Sequence, residues 1–325
     1  MNIRELLERG VQEKAADLHL QEGRSPLLRQ ERGLAELDLP ILQKKDIQYL
    51  LTQVGWPSGE NTVDYAFSWG DEFRCRLHVC QEYAGLHAVI RFLYPLSMLP
   101  PDDDAYFLAR LSTLRDGLVL FCGPTGSGKT TALWRILQLI NQTRACHIIT
   151  LEDPIEYIEK GEKSLITQRE LGEHFTGFAE GIRQSLREDP DVILVGEMRD
   201  RETMDAALTA AETGALVLAT LHSRSASQAV SRLVGAYHGE EQSEIRSRLA
   251  LVLQAVLAQR RVYQQGKLRI AREIMVQTPA VAQLIRSGKE HQLDTVIQTG
   301  GALGMRTMEQ SLREIRRQYE NVLRS

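Results

Sequence analysis

No run in this 325-residue chain approaches the ~18 consecutive apolar residues that a membrane-spanning helix needs, so insertion into a bilayer is not expected. Cysteine is scarce. Cys75, Cys80, Cys122 and Cys146 are scattered and form no CxxC pair, which argues against a zinc site and for reduced, mostly buried thiols. A basic surplus is missing as well. The net charge is −4 and aromatic residues do not interleave with cations, so no nucleic-acid partner is expected. Internal repeats and low-complexity tracts are absent. The opening MNIRELLERGVQEKAADLHL is charged and helical in period, unlike a signal peptide, and points to a cytoplasmic protein that meets a membrane only peripherally, through a partner. What is present is ordinary for a globular protein, 43% hydrophobic and 25% charged, and long enough for two domains.

Residues 1–97 are expected to form the first domain. A helix over Ile3–Ala16 is followed by FRCRLHVC and LHAVIRFL, whose alternation has the period of strands. In YPLSMLPPDDD, three prolines and three aspartates interrupt both periods, which predicts a linker near 94–104 and a hinge between compact units. Residues 98–325 change character. The apolar runs GLVLFC (117–122), HIITL (147–151), VILV (192–195) and ALVLAT (215–220) alternate with helical stretches such as TTALWRILQLI (130–140). That alternation predicts an α/β domain, a parallel sheet covered by helices on both faces.

Between GLVLFC and its helix lies GPTGSGKTT, which fits the phosphate-loop pattern GxxxxGK[ST]. Glycines let backbone N–H groups converge on phosphate oxygens, and the helix N-terminus adds a positive dipole. Gly123, Pro124, Thr125, Gly126, Ser127, Gly128, Lys129, Thr130 and Thr131 are therefore expected to hold ATP, with Lys129 on the β- and γ-phosphates and the Thr130 hydroxyl in the shell of Mg²⁺. A Mg²⁺ ion so placed calls for a carboxylate from a strand beside the loop. DVILVGE offers Glu197, one residue beyond the usual place and one methylene longer, reaching the ion largely through water. TLEDPIEY puts Glu152, Asp153 and Glu156 after another apolar run, with Asp153 a further acid on the metal side, and ATLHS puts His222 after a third. In an open α/β sheet the carboxyl ends of the strands form the ligand edge, where these groups are expected to converge.

Four segments in this order, GPTGSGKTT, TLEDPIEY, DPDVILVGEMRD and ATLHS, resemble the Walker A motif, Asp box, Walker B motif and His box of the secretion ATPase family of type II secretion and type IV pili. KAADLHLQEGRSPLLRQERG is similar to the start of that family's PAS-like domain, and VAQLIRSGKEHQLDTVIQTGGALGMRTMEQSL resembles the tail of its pilus retraction ATPases. The resemblance implies a RecA-like P-loop ATPase domain at 98–325 after a smaller α+β PAS-like domain at 1–97. It implies a homohexamer that converts ATP hydrolysis into type IV pilus retraction, acting on an inner-membrane platform protein of the PilC type. It casts Glu156 as general base, Glu197 and His222 as readers of Mg²⁺ and the γ-phosphate, and Arg74, Arg76, Arg91 and Arg232 as arginines offered to nucleotide.

Retraction is favoured over assembly by the wording GEMRD, by the lack of a tetracysteine zinc site, and by the lack of the long extra N-terminal domain of many assembly enzymes. Pilus assembly, type II secretion or competence stand as alternatives, followed by a nucleic-acid translocase and a regulator without turnover. Two departures from the family stand out. Arg224 follows the His box where asparagine is usual, and PPDDDAYFLARL is unlike the common wording.

Overall fold

Alternation of apolar and polar residues lets a strand bury one face and leave the other open. On that principle the first hundred residues build an antiparallel sheet. Its strands are β1 (Asp17–Gln21), β2 (Leu27–Gln30), β3 (Gly33–Glu36), β4 (Thr62–Trp69), β5 (Phe73–Glu82) and β6 (Gly85–Leu93), in the order β3-β2-β1-β6-β5-β4. Cys75, Leu77 and Val79 of β5 and Ala88, Ile90 and Phe92 of β6 form a core with the apolar stripes of α1 (Ile3–Gln12) and α2 (Lys44–Thr52). α1 ends at Gln12, four residues short of the expected Ala16, because Lys14 adopts a φ of 53° and turns the chain into β1.

The computed structural model describes residues 2–30, 32–56, 62–70, 73–264 and 267–322. The chain divides into two compact units. The first is Met1–Pro100 with Pro154–Ile158, and the second is Pro101–Asp153 with Glu159–Ser325.

The second unit alternates helices with strands, as the apolar runs predict. Its strands are β7 (Gly117–Cys122), β8 (His147–Glu152), β9 (Leu165–Glu170), β10 (Val192–Val195), β11 (Leu216–Leu221), β12 (Leu253–Gln264) and β13 (Lys267–Val276). Its helices are α3 (Ala105–Ser112), α4 (Lys129–Thr143), α5 (Phe178–Ser185), α6 (Arg201–Glu212), α7 (Ala226–Gly235), α8 (Glu241–Val252), α9 (Pro279–Arg286), α10 (Leu293–Thr299) and α11 (Met308–Val322). Every residue of β7, β10 and β11 is buried, so the continuous apolar runs reflect cover on both faces.

Three expectations are corrected here. The sheet is mixed: six strands run parallel, but β13 is antiparallel to β12. Only two residues separate these strands, and so short a connection joins only antiparallel neighbours. Second, the order is β13-β12-β7-β11-β10-β8-β9, so β11 intervenes between the phosphate-loop strand β7 and β10. The strand that leads to Glu197 is thus not beside the loop, whereas the one that leads to His222 is. Helical crossovers leave strand order open in the sequence, yet all these parallel strands end at one edge. Third, the aspartates of the expected linker are anchored in the second unit. Asp102 and Asp104 are buried against Arg272 and Arg306, and Asp103 pairs with Arg269 at 2.7 Å.

The four cysteines are free thiols, with Cys75 and Cys122 buried and Cys80 and Cys146 partly so. Burial pushes Cys75 and Cys122 up to about 12, which leaves both unreactive near neutral pH.

Candidate nucleotide site

The loop between β7 and α4 takes its shape from three glycines. Gly126 and Gly128 have φ values of 74° and 89°, in the left-handed region that side chains avoid. Gly123 is required for a second reason: a Cβ there would lie 2.2 Å from the Gln259 carbonyl oxygen and 2.7 Å from Ser127 Oγ. Pro124, Thr125 and Gly126 are exposed at the crest, while Ser127 and Lys129 are buried and Thr130 and Thr131 are half-buried. Lys129 sits at the first turn of α4, and its Nζ donates to the carbonyls of Gly123 at 2.9 Å and Pro124 at 3.1 Å. The ammonium, the N–H groups of the first helical turn and the helix dipole therefore all serve one end of one loop, an arrangement suited to an anion.

Parallel register brings further groups to the same edge of the sheet. β10 ends at Val195, opposite Leu151 of β8 and Ala219 of β11. Gly196 follows in a narrow slot, donating to Leu151 O at 2.8 Å and accepting from Thr220 Oγ1, and a Cβ there would stand 3.0 Å from Leu151 O. Glu197 thus leaves the strand end in a fixed direction. Its carboxylate is mostly buried, pairs with Arg199 and lies 3.5 Å from His222 Nε2. Glu197 and His222 are in contact, as their positions after adjacent strands suggest. Arg232 on α7 donates to the His222 carbonyl at 2.9 Å, so it tethers the backbone of His222. Arg224 is exposed, and its backbone N–H donates to Gln228 Oε1.

The acids of TLEDPIEY do not stay together. Glu152 turns inward and is 3% exposed, accepting from Thr150 Oγ1 at 2.6 Å, Gln168 Nε2 at 3.2 Å and Trp134 Nε1 at 3.3 Å. It braces α4 against β8 and β9 and does not face the sheet's mouth. Asp153 is exposed at the end of the second unit's strand, whereas Glu156 is half-buried in the segment Pro154–Ile158, which belongs to the first unit.

The first unit also carries the expected arginines. Arg74, Arg76 and Arg91 lie on the polar face of its sheet, Arg76 directly opposite Arg91. Arg74 Nε donates to Ile155 O at 3.2 Å, one residue before Glu156. Arg76 pairs with Asp64 at 3.5 Å and Arg91 with Asp17 at 2.8 Å.

Three buried polar residues near the loop and the start of α7 escaped the sequence reading. Gln259 on β12 donates to Ser127 O, Arg272 on β13 donates to Gln259, and Glu273 accepts from the Ala226 N–H at the start of α7 at 2.7 Å. Burial raises the Glu273 carboxyl above its ordinary value, and that backbone donor opposes the rise. Arg272 and Glu273 follow no apolar run or glycine motif, and Gln259, although it follows the run AVLA (255–258), is an uncharged residue that nothing local marks as a neighbour of the loop.

The residues present fit Mg²⁺ carried on a nucleotide. Thr130 and Glu197, with Asp153, supply hard oxygen donors, and among the described residues no group of three or more acids, histidines or cysteines makes a closed cage. Mg²⁺ characteristically takes one or two carboxylates, substrate phosphates and water.

Comparison with known proteins identifies the family to which the chain belongs. A family model described as type II/IV secretion system protein matches residues 87–269. The chain is 40% identical over 322 residues to the type IV pilus retractation ATPase PilT of Pseudomonas aeruginosa, covering 96% of this chain and 93% of that protein. It is 40% identical over 304 residues to a twitching motility protein of Neisseria gonorrhoeae, covering 90% and 81% respectively. Its fold matches a crystal structure of the pilus retraction motor PilT with bound ADP at a TM-score of 0.86 and 36% identity, over 98% of this chain and 94% of that one.

Proposed function

Because the chain belongs to the type II/IV secretion system protein family, we propose that it is a retraction ATPase of type IV pili, the motor behind twitching motility. The observation that carries this reading is the phosphate loop, whose Lys129 and helix N-terminus share a sheet edge with the contacting pair Glu197 and His222. The enzyme hydrolyses ATP. Lys129 and the loop amides bind the β- and γ-phosphates, and the dipole of α4 adds to their field. Thr130 and Glu197, with Asp153 as a further acid, would hold Mg²⁺, which would supply neutralising charge for the phosphates. Glu156 takes the proton of the attacking water, and His222 senses the γ-phosphate through its contact with Glu197.

The stretch 98–325, which holds most of the second unit, is read as a RecA-like domain, and the stretch 1–97, which holds most of the first, as a PAS-like domain. The chain works as a homohexamer at the cytoplasmic face of the inner membrane, on a PilC-type platform protein. Arg74, Arg76 and Arg91 of one copy reach the nucleotide of the next, where an arginine can contribute ~10³ to 10⁵ in rate. Loss of phosphate removes that bridging charge and releases the contact, which is the mechanical step.

Turnover of Lys129→Ala and Glu156→Ala proteins tests the chemistry, and wild-type rates in either would remove its basis. Deleting the gene tests the direction. Surplus surface pili are expected, and a cell with none would assign the chain to assembly.

A further inference from the structure

The run Pro101–Asp104, where the chain departs from its family's wording, is part of a buried chain of contacts that ends on the phosphate loop. Asp102 grips both terminal nitrogens of Arg272, at 2.7 Å through Nη2 and by a shorter contact through Nη1. Asp104 accepts from Arg272 Nη1 at 3.0 Å and from Arg306 Nη2. Arg272 is 1% exposed and sits directly across the hairpin from Gln259, which is equally buried. Its Nε donates to Gln259 Oε1 at 3.0 Å, and Gln259 Nε2 donates to Ser127 O at 3.0 Å. Burial alone would raise the Asp102 carboxyl, but the hydrogen bond and charge of Arg272 outweigh it and hold the acid below its ordinary value.

The order of these contacts has a chemical logic. A guanidinium only donates, so it selects the oxygen end of the Gln259 amide. The NH₂ end is then forced towards the Ser127 carbonyl. Without Arg272, the amide is free to turn over and set oxygen against oxygen. Arg272 cannot stand alone either, since an unpaired buried charge is strongly unfavourable and requires the two aspartates. A buried ion pair contributes little to net stability against an apolar replacement, which directs attention to what its geometry fixes.

We propose that Arg272 and Gln259 are positioning residues for the phosphate loop, with Asp102 and Asp104 as their anchor. The guanidinium orients the amide, and the amide holds the Ser127 carbonyl so that the loop keeps the curvature that receives a triphosphate. The inference rests on the loop being the ATP site and adds to that reading a device built from residues on three distant stretches of the chain.

The test is steady-state ATPase kinetics with the thermal midpoint measured alongside, on the full chain. Gln259→Glu keeps an acceptor for Arg272 but cannot donate to Ser127, and Gln259→Ala removes both contacts. Each should raise the KM for ATP about tenfold, the scale of one lost hydrogen bond, with a smaller change in kcat and little change in midpoint. Asp103→Asn, which breaks a neighbouring pair outside the chain of contacts, should leave the KM as it is. The triple variant Arg272→Met, Asp102→Asn, Asp104→Asn should match Gln259→Ala, and adding Gln259→Ala to it should change the KM no further. If the triple variant does not fold, the two Gln259 variants decide alone. An unchanged KM in both Gln259 variants overturns the proposal, as does a lowered midpoint with an unchanged KM. Failure of the wild-type chain to bind or turn over ATP would instead overturn the assignment of the loop.

Discussion

In β10 every residue is buried, whereas in the middle of β5 only every second one is. The two sheets place their chemistry accordingly. A strand covered on both faces has no side chain to spare along its length, so its polar groups gather just past its carboxyl end. Lys129 follows β7, Glu197 follows β10 and His222 follows β11 in this way. A sheet with one open face carries polar groups along the strands themselves, and Arg74, Arg76 and Arg91 sit mid-strand or near it on β5 and β6. The edge is built to hold a ligand in one geometry, while the face presents charge over an area.

The comparison can be broken most sharply at the edge. Lys129→Ala should lower ATP turnover by about 10³-fold while the protein stays folded, since a preorganised charge on the reacting phosphate is lost. A purely structural role for Lys129 would show instead as a loss of stability in a thermal melt.

Matched truncations in the two sheets sharpen it further. Ile193→Ala, in the fully buried β10, should cost about 3 kcal/mol by chemical denaturation. Arg76→Ala, on the open face with a half-exposed partner, should cost less than about 1 kcal/mol yet lower turnover. If both truncations cost the same stability, the distinction between covered and open sheets fails.

The smallest effect concerns pH. The folded-state pKa of Asp102 lies below its ordinary value of 3.8, so the unfolded chain binds the proton more readily. Its contribution to stability is complete above 3.8 and is lost as pH falls through the lower folded value. Denaturation midpoints across that range should therefore fall less steeply in Asp102→Asn than in the wild type.

The parts of this architecture visible in the sequence are those with local signatures. GPTGSGKTT marks the loop because glycine placement and lysine spacing are demanded by phosphate geometry, and GLVLFC and VILV mark covered strands because such short apolar runs, alternating with longer helical stretches, suit burial on both faces of a sheet. Strand order was not visible, and neither was the antiparallel β13, whose charged residues hide its burial. Glu152 shows the limit of position alone: it ends an apolar run as the ligand-edge acids do, yet Trp134, Thr150 and Gln168 draw it inside. The aspartates of PPDDD read as part of a linker because Arg272, the partner of Asp102 and Asp104, lies 170 and 168 residues away. Charge complementarity at that separation leaves no pattern in a single chain.

The most direct measurement is calorimetric titration of the purified chain and its Lys129→Ala variant with ATP and Mg²⁺. Saturable binding by the wild type and its loss in the variant are the results predicted. Equal binding by both, or heat from neither, would contradict a nucleotide site at residues 123–131.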